Sequence, residues 1–229
     1  MTGSNSPSTS PLCAKIVLVR HGQSVANAGG VSTDQLTNPL TELGHAQARA
    51  FAEAFSGSPT RFIRSTYIRA RQTSEPLLQK LPMVPVEEWP IHEFTYLEPT
   101  VYQTDDQQMP RILEYWGRND PAYIDGPSVE SFSHFMGRVR DTSKRLAQAA
   151  PGEHIVVFTH GFWMQAFRLL LLFPGATDAE LMPNFRRFHF AHFLSNTEAL
   201  EFDALNGEIC MLGQHHLSDF SLEEETTHA

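Results

Sequence analysis

Short apolar runs alternate with longer amphipathic stretches along this chain of 229 residues. Such alternation is typical of an α/β fold, in which helices cover both faces of a mostly parallel central sheet. Three runs, at residues 13–19, 61–65 and 154–159, are short and largely apolar, which predicts buried strands. Two more, at 198–202 and 208–212, flank an Asn-Gly pair that predicts a hairpin turn. We therefore expect a three-layer sandwich around one sheet.

A helix pattern follows each of the three buried runs. Pro39 and Thr41 punctuate the start of the first helix, with Thr41 as its N-cap. The apolar stripe that should pack this helix on the sheet comprises Leu43, Ala46, Ala50, Ala54 and Phe55. The next two helices are expected at about 67–80 and from about 162 onward. Each strand-to-helix junction would then lie at the carboxyl end of a strand, the usual ligand edge of an open α/β sheet.

Residues 93–150 interrupt this alternation and predict an insertion over the active-site edge of the sheet. The segment includes a helix expected at about 128–148. Before that helix it is rich in aromatic residues and proline: Phe94, Tyr96, Pro99, Tyr102, Pro110, Tyr115, Trp116, Pro121 and Tyr123. It could form the wall or lid of a pocket, or equally a satellite hydrophobic cluster under a long loop. We expect a single domain at 13–220, a disordered leader at 1–12 and a polar tail at 221–229.

The composition narrows the class of partner. The formal net charge is −9, which argues against general affinity for nucleic acid or an anionic membrane. No apolar run reaches the roughly 20 residues that a membrane helix needs. Cys13 and Cys210 are the only cysteines and lie far apart, so a reducing, cytoplasmic setting is expected. The expected partner is a small molecule, and no pattern in the sequence predicts an oligomeric state.

Three strand ends carry residues that suit phosphate chemistry. Arg20 and His21 end the first run, Arg69 follows the second, and His160 ends the third. Because the carboxyl ends of parallel strands share one edge, two arginines and two histidines should meet there. Neutral imidazole is a nucleophile near pH 7 and can form a covalent phosphohistidine. The pattern therefore favours phosphoryl transfer, with His21 as the candidate nucleophile.

Several other groups could hold the phosphoryl group around that nucleophile. The guanidinium groups of Arg20 and Arg69 are expected to bind its oxygens in bidentate fashion. A protonated His160 would add positive charge in the transition state. The side-chain amide of Asn27 could donate a hydrogen bond, and backbone N–H groups from Gly161 onward, at the start of a helix, would favour the same anion.

Four segments of the chain carry a family resemblance. Residues 18–24, followed by Asn27, and residues 40–48, 65–73 and 156–161 read LVRHGQS, LTELGHAQA, STYIRARQT and VVFTHG. In this order they resemble the signature segments of the histidine phosphatase superfamily, also called the phosphoglycerate-mutase-like family. The resemblance covers most of the chain. It implies a phosphohistidine mechanism without metal or other cofactor, and it gives the second phosphate-binding role to Arg69 rather than Arg71.

The resemblance also implies a carboxylic acid that protonates the leaving oxygen. In the family a glutamate commonly follows the third strand, and the PIHEF segment at 90–94 resembles that place. We therefore assign the acid to Glu93, with Glu98 and Glu130 as alternatives. The acid must be protonated when the alcohol leaves, which requires a raised pKa.

The segment at 25–34 helps to distinguish a phosphatase from a mutase. It lacks the tryptophan-containing stretch that is typical of the family's mutases, so the resemblance favours the phosphatase branch. The prediction is metal-independent hydrolysis of a small phosphomonoester. Phosphoglycerate-mutase-type transfer and a non-catalytic scaffold that binds a phosphoryl ligand are the alternatives. Arg186 and Arg187 could engage a second acidic group on the substrate or form a surface charge pair.

A metal-dependent hydrolase is the most remote alternative. Four histidines late in the chain could suggest a metal site by proximity: His189, His192, His215 and His216. No carboxylate spacing accompanies them, so no metal ligand is predicted. The aromatic insertion could accept a flat or phenolic leaving group, or could bury itself against the core.

Overall fold

The computed structural model describes residues 13–31, 34–99 and 105–212, with residues 105 and 106 described by their backbone alone. The predicted leader and tail lie outside these residues, as do Tyr102, His215 and His216. The described elements, in chain order, are β1 (Ala14–Arg20), α1 (Glu42–Ala54), β2 (Arg61–Ser65), α2 (Ile68–Lys80), β3 (Val86–Trp89), α3 (Asp105–Gly117), α4 (Phe132–Ala147), β4 (His154–Thr159), α5 (Gly161–Leu172), α6 (Asp178–Ala191), β5 (Ala199–Leu205) and β6 (Glu208–Met211).

The described strands form one mixed sheet in the order β3-β2-β4-β1-β5-β6. The pairs β1–β4, β2–β4 and β2–β3 are parallel, whereas β5 runs antiparallel to β1 and β6 antiparallel to β5. The predicted α/β class and closing hairpin are thus confirmed. Arg20 of β1 is in register with Thr159 of β4, and Arg64 of β2 is in register with Phe158. This register brings the carboxyl ends of three strands to one level.

The sheet separates two hydrophobic cores. Along β1, the side chains of Ile16 and Leu18 belong to a large core that includes residues of α4, α5 and α6, while Val17 and Val19 belong to a smaller core that includes residues of α1 and α2. Successive strand side chains point to opposite faces, so burial on both sides explains the unbroken apolar run. The helices therefore lie on both faces, as the three-layer prediction requires.

Helix α1 begins where the sequence predicts, but it buries a different face. The Thr41 hydroxyl accepts a hydrogen bond from the Gly44 N–H, which confirms the N-cap. Four of the five predicted stripe residues are wrong, because Leu43 is 54% exposed and Ala46, Ala50 and Ala54 are exposed as well, whereas Phe55 packs against the smaller core. The buried residues are Gly44, Ala48 and Ala52. Small residues allow α1 to lie close to its neighbours, which the hydrophobicity of the sequence does not reveal.

Most of the aromatic side chains of the insertion join the large core. Phe94, Tyr115 and Trp116 are buried, and Phe94 stacks on Phe135 of α4 with ring centroids 4.6 Å apart. Tyr96 packs against this core but is only partly buried. The insertion is therefore a part of the fold, and its partly buried residues lie along a cleft beside the strand ends.

Candidate active site

His21 lies directly after β1 and is buried. Its Nδ1 is 2.7 Å from the Gly22 carbonyl oxygen, so Nδ1 carries the proton of the neutral ring and donates it there. Nε2 then keeps its lone pair and accepts a hydrogen bond from Nε of Arg69 at 3.2 Å. Burial, with help from the charges of Arg69 and Arg20, holds the pKa of His21 well below its usual range. The imidazole is thus neutral at physiological pH.

The loop that carries His21 is held from three sides. The Gly22 N–H donates to Oγ1 of Thr73 at 2.9 Å, and Nδ2 of Asn196 donates to the His21 carbonyl oxygen at 3.0 Å. On the third side, a Cβ on Gly22 would lie 2.6 Å from the carbonyl oxygen of Gly44. Only glycine permits this approach to α1, so the loop position is set by backbone contact.

Two arginines border the His21 ring. Arg69, near the start of α2, is buried and donates from Nη1 to the Gln35 carbonyl oxygen at 2.6 Å and from Nη2 to Gln35 Oε1 at 3.2 Å. Burial lowers its pKa to about 10, so it remains charged at neutral pH. Arg20 is also buried and donates from Nη1 to the Leu194 carbonyl oxygen. Its Nε has no hydrogen-bond partner within the described part of the chain.

His160 faces His21 across the site. The two ring centroids are 5.1 Å apart, and Nε2 of His160 is 2.8 Å from Oγ of Ser65 at the end of β2. Its Nδ1 is buried, and no described residue supplies it with a hydrogen bond. Burial, followed by the charge of Arg69, lowers the pKa of His160 well below its usual range. His160 is therefore neutral without a ligand, and the protonated ring predicted from the sequence belongs to the transition state.

Glu93 lies in the segment between β3 and α3 and contacts the start of α5. Its Oε1 accepts from the Phe94 N–H at 3.2 Å and its Oε2 from the Phe162 N–H at 3.3 Å. Burial raises the pKa of this carboxyl, and the charge of Arg69 opposes that rise. Glu93 is thus close enough to the arginines of the site to interact with both Arg69 and Arg20.

The other two candidate acids have partners outside this cluster. Glu98 accepts from the backbone and hydroxyl of Ser128 at 2.9 and 2.5 Å. Glu130 is bound at both oxygens by Arg138, at 2.9 and 2.5 Å. The geometry favours Glu93 over both alternatives.

Asn27 and Gly161 border the cluster. The Asn27 side-chain oxygen accepts from the Ser24 N–H at 3.4 Å and from Asn196 Nδ2 at 3.2 Å, an arrangement that keeps its amino group for another acceptor. Gly161 begins α5, and a Cβ there would lie 3.3 Å from Arg20 Nε. One N–H at this helix start, that of Phe162, already bonds to Glu93.

Four supporting residues received no role from the sequence. Gln35 contacts Arg69, and Ser65 contacts His160. Thr73 contacts the Gly22 N–H, and Asn196 contacts the His21 carbonyl oxygen. Ser65 and Thr73 lie at the two ends of the STYIRARQT segment, so their position gave a signal. Gln35 and Asn196 lie in irregular segments, where no periodicity marks them.

A cleft of about 520 Å³ adjoins the cluster, and we call it the insertion cleft. Its lining residues are Asp34, Gln35, Tyr67, His92, Phe94, Thr95, Tyr96, Leu97, Pro99, Gln108, Ile112, Pro127, Ser128, Val129, Glu130, His134 and Arg138. Tyr67 joins the cleft to the cluster, because its ring lies 5.3 Å from that of His160 and 5.1 Å from the Arg69 guanidinium carbon.

The described residues form neither a metal-binding group nor a membrane-spanning helix. Within residues 13–31, 34–99 and 105–212, no three His, Cys, Asp or Glu side chains are grouped so that they could hold a metal ion. His189 instead packs edge-on against Phe162, with centroids 4.5 Å apart. Over the same residues, no helix is both long and apolar enough to cross a membrane.

The fold and cluster correspond to a known class of protein. Residues 16–192 match the model of the histidine phosphatase superfamily (branch 1), and the chain belongs to that family. It is 27% identical over 161 residues to a metal-independent phosphoserine phosphatase of Arabidopsis thaliana, covering 68% of this chain and 67% of the relative. It is 28% identical over 176 residues to a 2,3-bisphosphoglycerate-dependent phosphoglycerate mutase of Methylobacterium sp. (strain 4-46), covering 71% and 81%.

Solved structures share the fold. A putative α-ribazole-5′-phosphate phosphatase of Escherichia coli superposes with a TM-score of 0.68 at 21% identity, covering 87% of this chain and 94% of the other. A mycobacterial glucosyl-3-phosphoglycerate phosphatase superposes with a TM-score of 0.61 at 24% identity, covering 83% and 90%. The family thus includes both phosphatases and mutases among the relatives of this chain.

Proposed function

We propose that this chain is a metal-independent phosphatase that hydrolyses a small phosphomonoester through a phosphohistidine on His21. The observation that carries the proposal is the neutral His21 ring, whose Nε2 keeps a lone pair beside the charged guanidinium of Arg69. A neutral nucleophile beside fixed cations is what attack on an anionic phosphoryl group requires.

In the first step, His21 Nε2 attacks phosphorus and the bond from phosphorus to the alcohol oxygen breaks. Glu93 gives its proton to the departing oxygen, and the raised pKa from burial keeps that proton available. Arg20 and Arg69 bind phosphoryl oxygens, together with the Asn27 amide and the N–H of Gly161. Arg20 Nε and His160 Nδ1 are buried groups that still lack partners among the described residues, which suits this role.

The charge of the bound phosphoryl group changes His160. A nearby anion favours the protonated imidazole and so raises its pKa from the low value of the empty site. His160 can then act as a cation only when substrate is bound. In the second step, water attacks phosphorus, Glu93 takes the water's proton, the phosphorus–nitrogen bond breaks, and His21 returns to its neutral form with release of phosphate.

Mutase-type transfer is the second candidate function. The similarity to a phosphoglycerate mutase favours it. In that reaction the phosphoryl group returns from His21 to a second hydroxyl of the same or another alcohol, and little phosphate is released. The two reactions share the first step and differ in the acceptor.

Substitution of the nucleophile tests the proposal. His21→Ala should lower the release of phosphate from phenyl phosphate, measured in the presence of a chelator, by roughly 10³-fold or more. Labelled phosphate should be trapped on the unaltered protein in an acid-labile form and not on this variant. His45→Ala, on α1 and outside the cluster, is the matched control and should keep its activity. Full activity of His21→Ala would refute the mechanism, and label exchange between phosphoglycerates without phosphate release would replace hydrolysis by mutase chemistry.

A further inference from the structure

We infer that the insertion cleft selects phosphomonoesters whose alcohol is uncharged and carries a ring, and that it discriminates against alcohols with a carboxylate. The inference rests on the proposed hydrolase function and deepens it, because it names the class of leaving group. It depends on three properties of the cleft: its position, its walls and its charge.

The position of the cleft identifies it as the place of the alcohol. Gln35 and Tyr67 line the cleft and also contact Arg69. His92 and Phe94 line it as well, and they flank Glu93 in the chain. A phosphoryl group bound at His21 therefore has its ester oxygen near Glu93 and the rest of the alcohol directed into the cleft.

The walls of the cleft suit a ring. Tyr67 stacks on His92 with centroids 5.2 Å apart and planes inclined by 27°. Tyr96, Leu97 and Ile112 add apolar surface. The volume of about 520 Å³ exceeds what a three-carbon acid fills and falls in the usual range for drug-sized ligands. Between these walls, hydroxyl and amide groups offer neutral hydrogen-bond partners, namely those of Gln35, Thr95, Gln108 and Ser128.

The charge of the cleft disfavours a carboxylate. Arg138 is the one arginine or lysine among the lining residues, and its guanidinium is fully engaged. It binds both oxygens of Glu130 and donates to the carbonyl oxygens of Pro90 at 2.7 Å and His92 at 3.3 Å. Burial lowers the pKa of His92 to about 4, so that ring is neutral. Asp34 adds a negative charge to the rim.

The segments outside the described residues add no lysine or arginine. The chain holds 17 lysines and arginines, and residues 1–12, 32–33, 100–104 and 213–229 contain none of them. Arg186 and Arg187, the candidates from the sequence for binding a second acidic group, lie on α6 and do not line the cleft. A substrate carboxylate would therefore lose water without gaining a free arginine or lysine as its partner, and that desolvation is unfavourable.

Matched substrates test the inference. The kcat/KM for phenyl phosphate should exceed that for 4-carboxyphenyl phosphate by about tenfold or more. The kcat/KM for glycerol 3-phosphate should likewise exceed that for 3-phosphoglycerate. After correction for the acidity of the leaving group, the kcat/KM for phenyl phosphate should exceed that for glycerol 3-phosphate. Equal or reversed preferences would overturn the inference and leave the proposed hydrolase standing. Absence of phosphate release from all four compounds would refute the proposed function, and this inference with it.

A cation placed in the cleft should reverse the preference. Gln108→Arg puts a guanidinium among the lining residues of α3, and it should raise the ratio of kcat/KM for 4-carboxyphenyl phosphate over phenyl phosphate by about tenfold. Gln107→Arg adds the same charge at the preceding, exposed position and should leave the ratio unchanged. Equal gains in both variants would attribute the effect to net charge and overturn the inference. No gain in Gln108→Arg would show that the alcohol does not occupy this cleft.

Discussion

The charge of each histidine in the cluster is set by the protein rather than by the solvent. The rings of His21 and His160 contact each other and lie close to Arg69. Burial removes the water that would stabilise a proton on either ring. The ordinary pKa of imidazole, which is all that the sequence supplies, leaves both charge states open. Arg69 is 48 positions from His21 in the chain, so only the fold reveals that their atoms are 3.2 Å apart.

Glu93→Gln should separate substrates by the quality of their leaving group. The amide cannot donate a catalytic proton, so kcat for an alkyl phosphate should fall by about 10²- to 10⁴-fold. An activated ester such as 4-nitrophenyl phosphate needs little protonation and should lose far less. Steady-state kinetics with both substrates across a pH series measures the difference, and the alkaline loss of activity that reports the acid should disappear in the variant.

Glu98→Gln is the matched control for this experiment. It removes a carboxylate of the same length whose partner is Ser128, and the ratio between the two substrates should stay constant. A selective loss of alkyl phosphate hydrolysis in Glu98→Gln, with normal kinetics in Glu93→Gln, would move the acid to Glu98.

At the level of helices and strands, the sequence predicted the elements whose pattern is simple. β1 and β4 are apolar on both faces, and their ends carry Arg20 and His160, so the meeting of these residues followed from topology alone. β3 was missed because it has four residues, two of which are Glu87 and Glu88. These glutamates form ion pairs with arginines of β2, and such polar pairs hide an edge strand from a search for apolar runs.

Two further helices are not predicted by the sequence pattern. α3 and α6 each contain a proline, Pro110 and Pro183, which counts against a helix when only the sequence is read. A signal for α6 was nevertheless present, because Thr177 and Glu180 form a capping box at its start. The general acid was also hard to assign, because Glu93 follows strand β3, which the sequence did not predict. The family resemblance suggested that Glu93 lies near β1, but the pattern of apolar and polar residues did not.

Arg138 positions the segment that carries Glu93. It donates to the carbonyl oxygens of Pro90 and His92 while bound to Glu130, and so fastens that segment to α4. Arg138→Met should therefore lower kcat for an alkyl phosphate about tenfold more than for 4-nitrophenyl phosphate, because the acid loses its alignment. Kinetics with both substrates checks this, and partial rescue by Arg138→Lys is expected.

The control for this element is Arg140→Met. Arg140 lies on the same helix and forms an ion pair with Asp178 at 2.5 Å, without a hydrogen bond to residues 90–93. Loss of the Arg140 ion pair should lower thermal stability and leave the ratio of kcat between the two substrates unchanged. Equal ratios in both variants would mean that Arg138 contributes only to stability.

For the molecule as a whole, buried histidines make stability depend on pH. The pKa is lowered for His21, His92, His160 and His189, and it is about 4 for His92 and His189. In the unfolded chain each histidine has its ordinary pKa of about 6.5. At pH values between the lowered folded-state pKa and about 6.5 the unfolded chain therefore binds more protons than the folded chain, so the free energy of unfolding rises with pH. Glu93, with its raised pKa, opposes the trend as a single group. Each such histidine contributes about 2 kcal/mol between pH 7.5 and 5, so urea unfolding should show a loss of several kcal/mol over this range.

His189→Phe should flatten this dependence. His189 lies among the rings of Phe162, Phe190 and Phe193, and its Nδ1 has no hydrogen-bond partner among the described residues, so phenylalanine fits the surroundings and cannot titrate. The double variant His45→Asn and His134→Asn, which alters a partly exposed and an exposed histidine, should keep the original slope. The reverse outcome would locate the pH dependence at the surface.

The place of β1 between β4 and β5 has a consequence for the synthesis of the chain. Of the described strands, β1 is the first to leave the ribosome, yet both of its neighbours come from the last third of the sequence. Its first partner follows roughly 130 residues later, which at 5–20 residues per second is a delay on the order of 10 s. During that interval the apolar segment from Ile16 to Val19 has no sheet to join, so the nascent chain depends on helix packing or a chaperone to shield it.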